Sequence, residues 1–441
     1  MNRALRLVPL VVLLAASPAA AQTVLPTWSQ QIAIREGWLL KRHQMLLPMM
    51  RRHGINMWIV VNEEFHDDPL TQLVAPPRPY TGGRDIFVFI DTGDSLRKIA
   101  LTGFSEDNLK RFFESTDEPR PAAQVLAALY QQYHPAKIGL GINGGRGVQH
   151  SLTKSAYDFL VRSMGADAES HFTSAADLIE EYCDTRIPEE LPYYTMLVSL
   201  TDEITRKAFS NAVITPGKTT VGDVRNWLYD AMWKAGVRTW FQPDMRVQRR
   251  GEVNDSSRGF LGVAPEKTVI MPGDVLHVDF GISAMGFDTD WQKMAYVLKP
   301  GETDVPAGLK TGLRNTNALQ EAMMQHHARP GRTGREVYDS TMAEMQRLGI
   351  EARIYSHPIG NQGHGLGVSV DFRGAGRAPT TPPKTLRNGS YLSVELATTT
   401  PVPEWGNQKI AVMAEDDAYL TDKGWVFFRP HQTSWYLIRT R

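Results

Sequence analysis

The chain of 441 residues contains one cysteine, Cys183, so no disulfide can form within it. Its length makes one unnecessary, because two or three domains with sizeable cores can be built from it. With nothing around it to mark a nucleophile, the lone thiol is read as structural. Net charge is equally lacking: 48 Lys and Arg balance 48 Asp and Glu. No field of one sign is available to gather nucleic acid or an acidic membrane, so neither is expected as a partner. Beyond the first 21 residues no stretch approaches 18 apolar residues, which excludes a membrane-spanning helix from the expected mature protein.

Those first residues are the exception. "MNRALRLVPLVVLLAASPAAAQ" carries two arginines, an apolar run from Leu7 to Ala16, and Ala19-Ala20-Ala21 before Gln22. The pattern predicts a signal peptide, residues 1–21, cut after Ala21, and therefore a soluble protein that is exported to the periplasm or secreted.

Hydrophobic periodicity predicts a helix over 30–55, with Ile34, Trp38, Leu39, His43, Leu46 and Met50 at helical spacings and a stop near Gly54. "INMWIVV", "DIFVFID" and "KIALTGF" read as strands. Helices follow around 105–115 and 122–133, then the strand "KIGLGIN" and a helix over 151–164. Together these form an α/β domain, residues 22–170. The stretch 171–190 reads as a helical linker into a second domain, 191–441. "GLGING", 139–144, matches a nucleotide-binding glycine pattern, but no helix opens on it, so it is read as a plain turn.

The second domain contains an echo. "TPGKTTVGDVRNWLYDAMWKAG" (215–236) is similar to "RPGRTGREVYDSTMAEMQRLG" (329–349). Each follows a long helical stretch, carries Pro-Gly-basic-Thr, and continues as an amphipathic helix ending at glycine. A duplicated helix–helix–sheet unit is expected, with a site between the halves.

Acidic residues sit where strands are expected. "VLHVDFGISAMGFDTDWQKMAYVL" reads as a hairpin, and pairing centred on Ala284 and Met285 would set Asp279 opposite Asp290. Asp288 would share the face of Asp290 as a strand-end residue. His364 lies among glycines in "GNQGHGLG", Glu395 in "SYLSVELAT", and Glu415 in "KIAVMAEDDAYL". Asp416 should point away from Glu415, and Asp417 reads as structural or supporting. Four carboxylates and an imidazole on sheet-like segments need cations, and an oxygen-rich set with one histidine suits Mn²⁺, Co²⁺ or Zn²⁺.

The order Asp279, Asp290, His364 in "GHGLG", Glu395 in "LSVEL" and Glu415 in "AEDDAYLT" resembles the pita-bread metallopeptidases, the family of methionine aminopeptidase, Xaa-Pro aminopeptidase and prolidase. The resemblance covers about 190 to 430. It implies an α/β N-terminal domain of creatinase/prolidase type and an α+β pita-bread catalytic domain with an internal pseudo-two-fold duplication. It further implies two divalent metal ions, manganese first, held by Asp279, Asp290, His364, Glu395 and Glu415, with Glu395 relaying a proton. The implied reaction is cleavage of short Xaa-Pro peptides by a metal-bridging water, and a homodimer is possible by analogy. Departures qualify this. The family's two substrate histidines are Gly262 and Asp371 here, its Pro-Gly after the first glutamate is Leu396-Ala397, and its Arg before the last glutamate is Met413. His357 is the candidate to replace a lost histidine, with a structural role beside Pro358 as the alternative; Arg258 is a lesser candidate. A non-peptidase hydrolase of creatinase type and a catalytically inactive binding module remain the competing readings.

Overall fold

A computed structural model describes residues 23–77, 81–103, 107–115, 121–253, 256–257, 260–375 and 383–440. The expected leader, 1–21, and Arg258 lie outside the described residues. Among the described residues no helix is long and apolar enough to cross a membrane.

The first long helix, α1 (Trp28–Arg52), buries Leu39, His43, Leu46 and Met50, one stripe at helical spacing. The Thr27 N–H donates to Gln30 Oε1 at 2.8 Å to start it, and Gly54 at φ 65° closes it. The strands β1 (Met57–Glu63), β2 (Arg84–Asp91), β3 (Leu96–Leu101), β4 (Ile138–Leu140) and β5 (Phe172–Ser174) form one sheet in the order β3-β2-β1-β4-β5. Alternation sends Trp58, Val60, Phe87 and Phe89 to the face covered by α1, and Met57, Ile59, Val61, Ile86 and Val88 to the other. Helices α2 (Ala122–Tyr133) and α3 (Lys154–Met164) cover that second face. With both faces buried the strands read as near-continuous apolar runs. Burying one such side chain contributes about 2–3 kcal/mol relative to exposure.

Two expectations change here and a third holds. Among the described residues of the helix expected around 105–115, only Asp107–Lys110 are helical, and Glu114 then pairs with Ile99 at the sheet edge. The 171–190 stretch is not a linker: β5 joins the first sheet, and helix α4 (Ala176–Asp184) buries Leu178, Ile179 and Tyr182 in its core. Glycines 141 and 144 do sit in a turn, followed by a single 3₁₀ turn rather than a phosphate-binding helix.

The echo is structural. Helices α5 (Leu191–Ala208) and α6 (Val221–Ala235) in one half match α7 (Ala307–Glu321) and α8 (Gly334–Arg347) in the other. Thr220 caps α6 reciprocally with Asp223, and Thr333 caps α8 reciprocally with Glu336. Gly217 and Gly331 both take left-handed φ, and their N–H groups donate to Ile270 and Leu386. Thr220 pairs with Val269 as Thr333 pairs with Thr385.

Each half contributes a sheet. The first runs β15-β8-β7-β6, from β6 (Asp244–Gln248), β7 (Val275–Phe280), β8 (Trp291–Val297) and a late strand β15 (Tyr436–Ile438). The second comprises β9 (Glu351–Pro358), β10 (Tyr391–Ser393), β11 (Leu396–Val402), β12 (Gln408–Ala414), β13 (Asp417–Thr421) and β14 (Gly424–Phe427), in the order β12-β11-β9-β10-β13-β14, with Val370–Asp371 beside β9. Gln292 and Glu415 exchange two backbone hydrogen bonds, of 3.1 and 3.3 Å, and stitch the two sheets together.

The hairpin register differs from the expected one by two residues. Asp279 pairs with Gln292, and Trp291 with Phe280. The turn is centred on Met285 and Gly286, at φ 57° and 80°, rather than on Ala284 and Met285. A two-residue turn with both central φ angles positive matches strand twist, and Gly286 supplies one of them without strain. Asp290 therefore stands diagonal to Asp279, across Gln292, instead of opposite it.

Candidate metal centre

Pairing sets the site. In the second sheet His357 faces Ser393, and Ser393 faces Asp417. The register of the flanking pairs continues through Glu395, which lies between β10 and β11 with its carbonyl accepting the Tyr355 N–H at 2.9 Å. Alternation then puts Tyr355, His357, Ser393, Glu395, Met413 and Glu415 on one face, turned toward β7 and β8 of the first sheet.

His357 occupies the middle of the acids. Its Nε2 lies 3.4 Å from Glu415 Oε1, 3.6 Å from Asp290 Oδ2 and 3.8 Å from Glu395 Oε2. The Nδ1–H donates to the Pro358 carbonyl at 3.1 Å, so Nε2 is the ring atom turned into this space. Both that nitrogen and Glu415 Oε2 are buried without a hydrogen-bond partner. A buried ring nitrogen this close to carboxylate oxygens needs a proton or a cation between them. Asp290, His357 and Glu415 can each direct one donor atom to a common point, all three within 4.8 Å of one another. That donor set fits a divalent cation.

The other expected residues are arranged differently. Asp279 and Glu395 are joined by the side chain of Gln292, whose Nε2 lies 3.3 Å from Asp279 Oδ2 and 3.0 Å from Glu395 Oε1. Arg246 Nη1 lies 3.6 Å from the same Asp279 oxygen. His364 is not in the group of three. It packs edge-on against His357 with ring centroids 4.5 Å apart, exposed on its outer side and bordered by Trp240. Partial burial, and then the neighbouring His357, push its imidazole down to about 4, so it is neutral at neutral pH.

Electrostatics follow from crowding. Burial raises the carboxyls of Asp279, Asp290 and Glu395 well above the ordinary range, and repulsion from Glu415 raises them further. Burial acts on Glu415 in the same direction, but the His357 imidazole and the Ser393 hydroxyl, at 2.7 Å, outweigh it and keep this carboxylate ionised. Such a cluster shares protons unless cations replace them.

A supporting layer lies beneath. Asp417 Oδ2 accepts the Asp290 N–H at 3.2 Å and meets the Tyr194 hydroxyl at 2.9 Å. Tyr194 Oη also lies 2.8 Å from the Asp288 carbonyl. Asp288 itself accepts from Ser283 and from the Gly363 N–H, so it steadies the loop bearing His364. Asp416 points away, as expected, and forms a buried pair with Lys293 at 2.6 Å. Gly262 and Asp371 bring no imidazole to the site. Gln292, Arg246, Lys293 and Tyr194 escaped the sequence reading, although the polar pair Gln292-Lys293, set between Trp291 and Met294 in a strand just past Asp290, was a usable signal.

Beside Glu395 and Gln292 opens a cavity of about 500 Å³, walled by Arg353, Tyr355, Phe372, Ala397 and Met413. Cys183 is remote from this chemistry: burial pushes its thiol up to about 12.

The model of metallopeptidase family M24 matches residues 198–422. No curated protein sequence matches the chain. Among solved structures, an X-Pro aminopeptidase from Thermotoga maritima is similar with TM-score 0.63 at 14% identity, covering 88% of this chain and 99% of its own. An Xaa-Pro dipeptidase from Bacillus anthracis gives 0.63 at 18%, over 90% and 99%. The prolidase from Pyrococcus horikoshii gives 0.59 at 16%, over 89% and 99%. At such identities the likeness speaks for the fold, which is the pita-bread fold with an N-terminal domain. Because the family model spans just over half of the chain and the duplicated halves meet around a buried Asp–His–Glu group, the chain belongs to metallopeptidase family M24.

Proposed function

We propose that the chain is a metal-dependent hydrolase of short peptides, with the Xaa-Pro bond as its finer specificity. The observation that carries this reading is the pair of buried, unpartnered atoms, His357 Nε2 and Glu415 Oε2, beside an open cavity. When bound, a divalent cation there supplies a Lewis acid for the scissile carbonyl and lowers the pKa of a water molecule. Glu395 is the proton carrier in this reading: its carboxylate borders the cavity and lies 3.8 Å from His357. Tyr355, which lines the cavity, and His364, packed against His357, are offered as substrate contacts. Mn²⁺ is the first choice of ion, with Co²⁺ or Zn²⁺ as alternatives, since the donors are mostly oxygen. Export after removal of residues 1–21 and a homodimeric state belong to the same proposal. N-terminal sequencing of the mature chain and its sedimentation would test them.

The decisive assay incubates the metal-loaded protein with Xaa-Pro dipeptides and Xaa-Pro-Xaa tripeptides and follows release of the first residue. Cleavage abolished by a chelator and restored by Mn²⁺ is expected. A metal-loaded protein inert toward all of them would overturn the peptidase reading. A binding module that keeps the fold without catalysis, the second reading, is favoured by Gly262 and Asp371, which leave two substrate-contacting imidazoles out.

A further inference from the structure

The second sheet and the first meet at Gln292, and the orientation of its amide can be deduced. Arg246 Nη1 approaches His277 Nδ1 at 3.2 Å. A guanidinium only donates, so Nδ1 accepts and the imidazole proton sits on Nε2. His277 Nε2 in turn lies 2.8 Å from Gln292, and the atom that receives its proton must be Oε1. The Gln292 NH₂ group therefore faces the other way, toward Asp279 and Glu395, and both of its protons are used there. His277 is fully buried and Gln292 nearly so, so the bond between them is shielded from water. Arg246 adds a positive charge beside Asp279.

Between Asp279 and Glu395 there is thus a fixed amide donor with a guanidinium behind it. Between Asp290, His357 and Glu415 no amide or guanidinium intervenes, and two of the atoms there are unpartnered. Of the five residues expected to share two ions, Asp290 and Glu415 join His357 in a three-donor group, Asp279 and Glu395 form a carboxylate pair bridged by Gln292, and His364 falls in neither.

Building on the metal-hydrolase reading above, we infer that the chain holds one tight divalent cation, between Asp290, His357 and Glu415, and that Gln292 and Arg246 take the place of a second between Asp279 and Glu395. His357, rather than His364, is the imidazole ligand in this arrangement. His364 is left to face the cleft.

Titration of the metal-free full-length protein with Co²⁺, followed by visible absorption and by calorimetry, tests this. One tight equivalent is expected. His357→Ala should weaken it by about 100-fold, and His357→Gln should do the same in a chain whose circular dichroism and melting match the parent. His364→Ala should keep one equivalent with affinity within about threefold. Gln292→Glu, which exchanges the amide for a carboxylate, should admit a second Co²⁺. Two tight equivalents in the parent chain, loss of the ion in His364→Ala but not in the His357 variants, or no second ion in Gln292→Glu would each overturn the inference. One equivalent without peptidase activity supports the single-ion site and sinks only the peptidase reading. No bound ion at all sinks both.

Discussion

His357 Nε2 stands 3.4 Å from Glu415 Oε1 while its own Nδ1–H is held by the Pro358 carbonyl. This relationship crosses between neighbouring parts of one sheet face, and it turns an ordinary strand histidine into a donor for whatever fills the space between them. Its neighbours then divide into those that hold an ion and those that handle protons, and the division can be tested.

Glu395 belongs to the second group. Replacing it as Glu395→Gln should leave metal content unchanged while kcat falls by about 10² to 10⁴. Steady-state kinetics together with metal analysis decide the matter. A parallel loss of metal would move Glu395 among the ligands.

Tyr194 acts at one remove, through Asp417, which accepts the Asp290 backbone N–H. Tyr194→Phe deletes the shared hydroxyl and leaves Asp417 short of a partner. Metal affinity should fall about tenfold, and stability by about 1–2 kcal/mol. Competitive titration against a chelator and urea unfolding would read the two effects separately. An unchanged affinity would make the hydroxyl purely structural.

The buried Lys293–Asp416 pair, with Lys293 Nζ also donating to the Glu415 carbonyl at 2.9 Å, fixes the strand that carries Glu415. Lys293→Met strands a carboxylate in the core and should destabilise the chain by about 3–5 kcal/mol. The double change Lys293→Met, Asp416→Asn should recover much of that loss. If single and double variants unfold at the same denaturant concentration, the stranded charge is not the cause.

Far from the site, His43 reports on pH. Burial, helped by Lys98, lowers its pKa from 6.5 to about 3. The folded chain therefore binds fewer protons than the unfolded one between those values. The stability this residue contributes is complete above pH 6.5 and is lost as pH falls toward 3, with a slope of up to about 1.4 kcal/mol per pH unit. His43→Gln can still donate to the Val74 carbonyl and should flatten that limb. Equilibrium unfolding from pH 7 to pH 4 would show it, and an unchanged slope would assign the acid limb to other groups.

Much of this was legible in the chain itself. The duplicated Pro-Gly-basic-Thr segments announced the two halves because a capped helix start is a local device with a local signature, Thr220 with Asp223 and Thr333 with Glu336. Asp279, Asp290, Glu395 and Glu415 stood out because carboxylates are foreign to strand interiors. The hairpin register was misjudged by two because it depends on which dipeptide can turn, and Met285 accepts a positive φ that side chains of its kind seldom adopt. The position of Gln292 was a signal in sequence, but its partners, and the parts played by Arg246 and His277, were not. Nothing in a neutral amide or a strand arginine betrays its partners until β6, β7 and β8 lie side by side.

The stitch between Gln292 and Glu415 has one more consequence. Asp290 belongs to the first half of the duplication, His357 and Glu415 to the second, and neither half alone owns the three donors. A chain that has folded only one half cannot assemble the group of three. The proposed hydrolase would therefore gain its metal site only when both halves close, and partly folded copies would lack it.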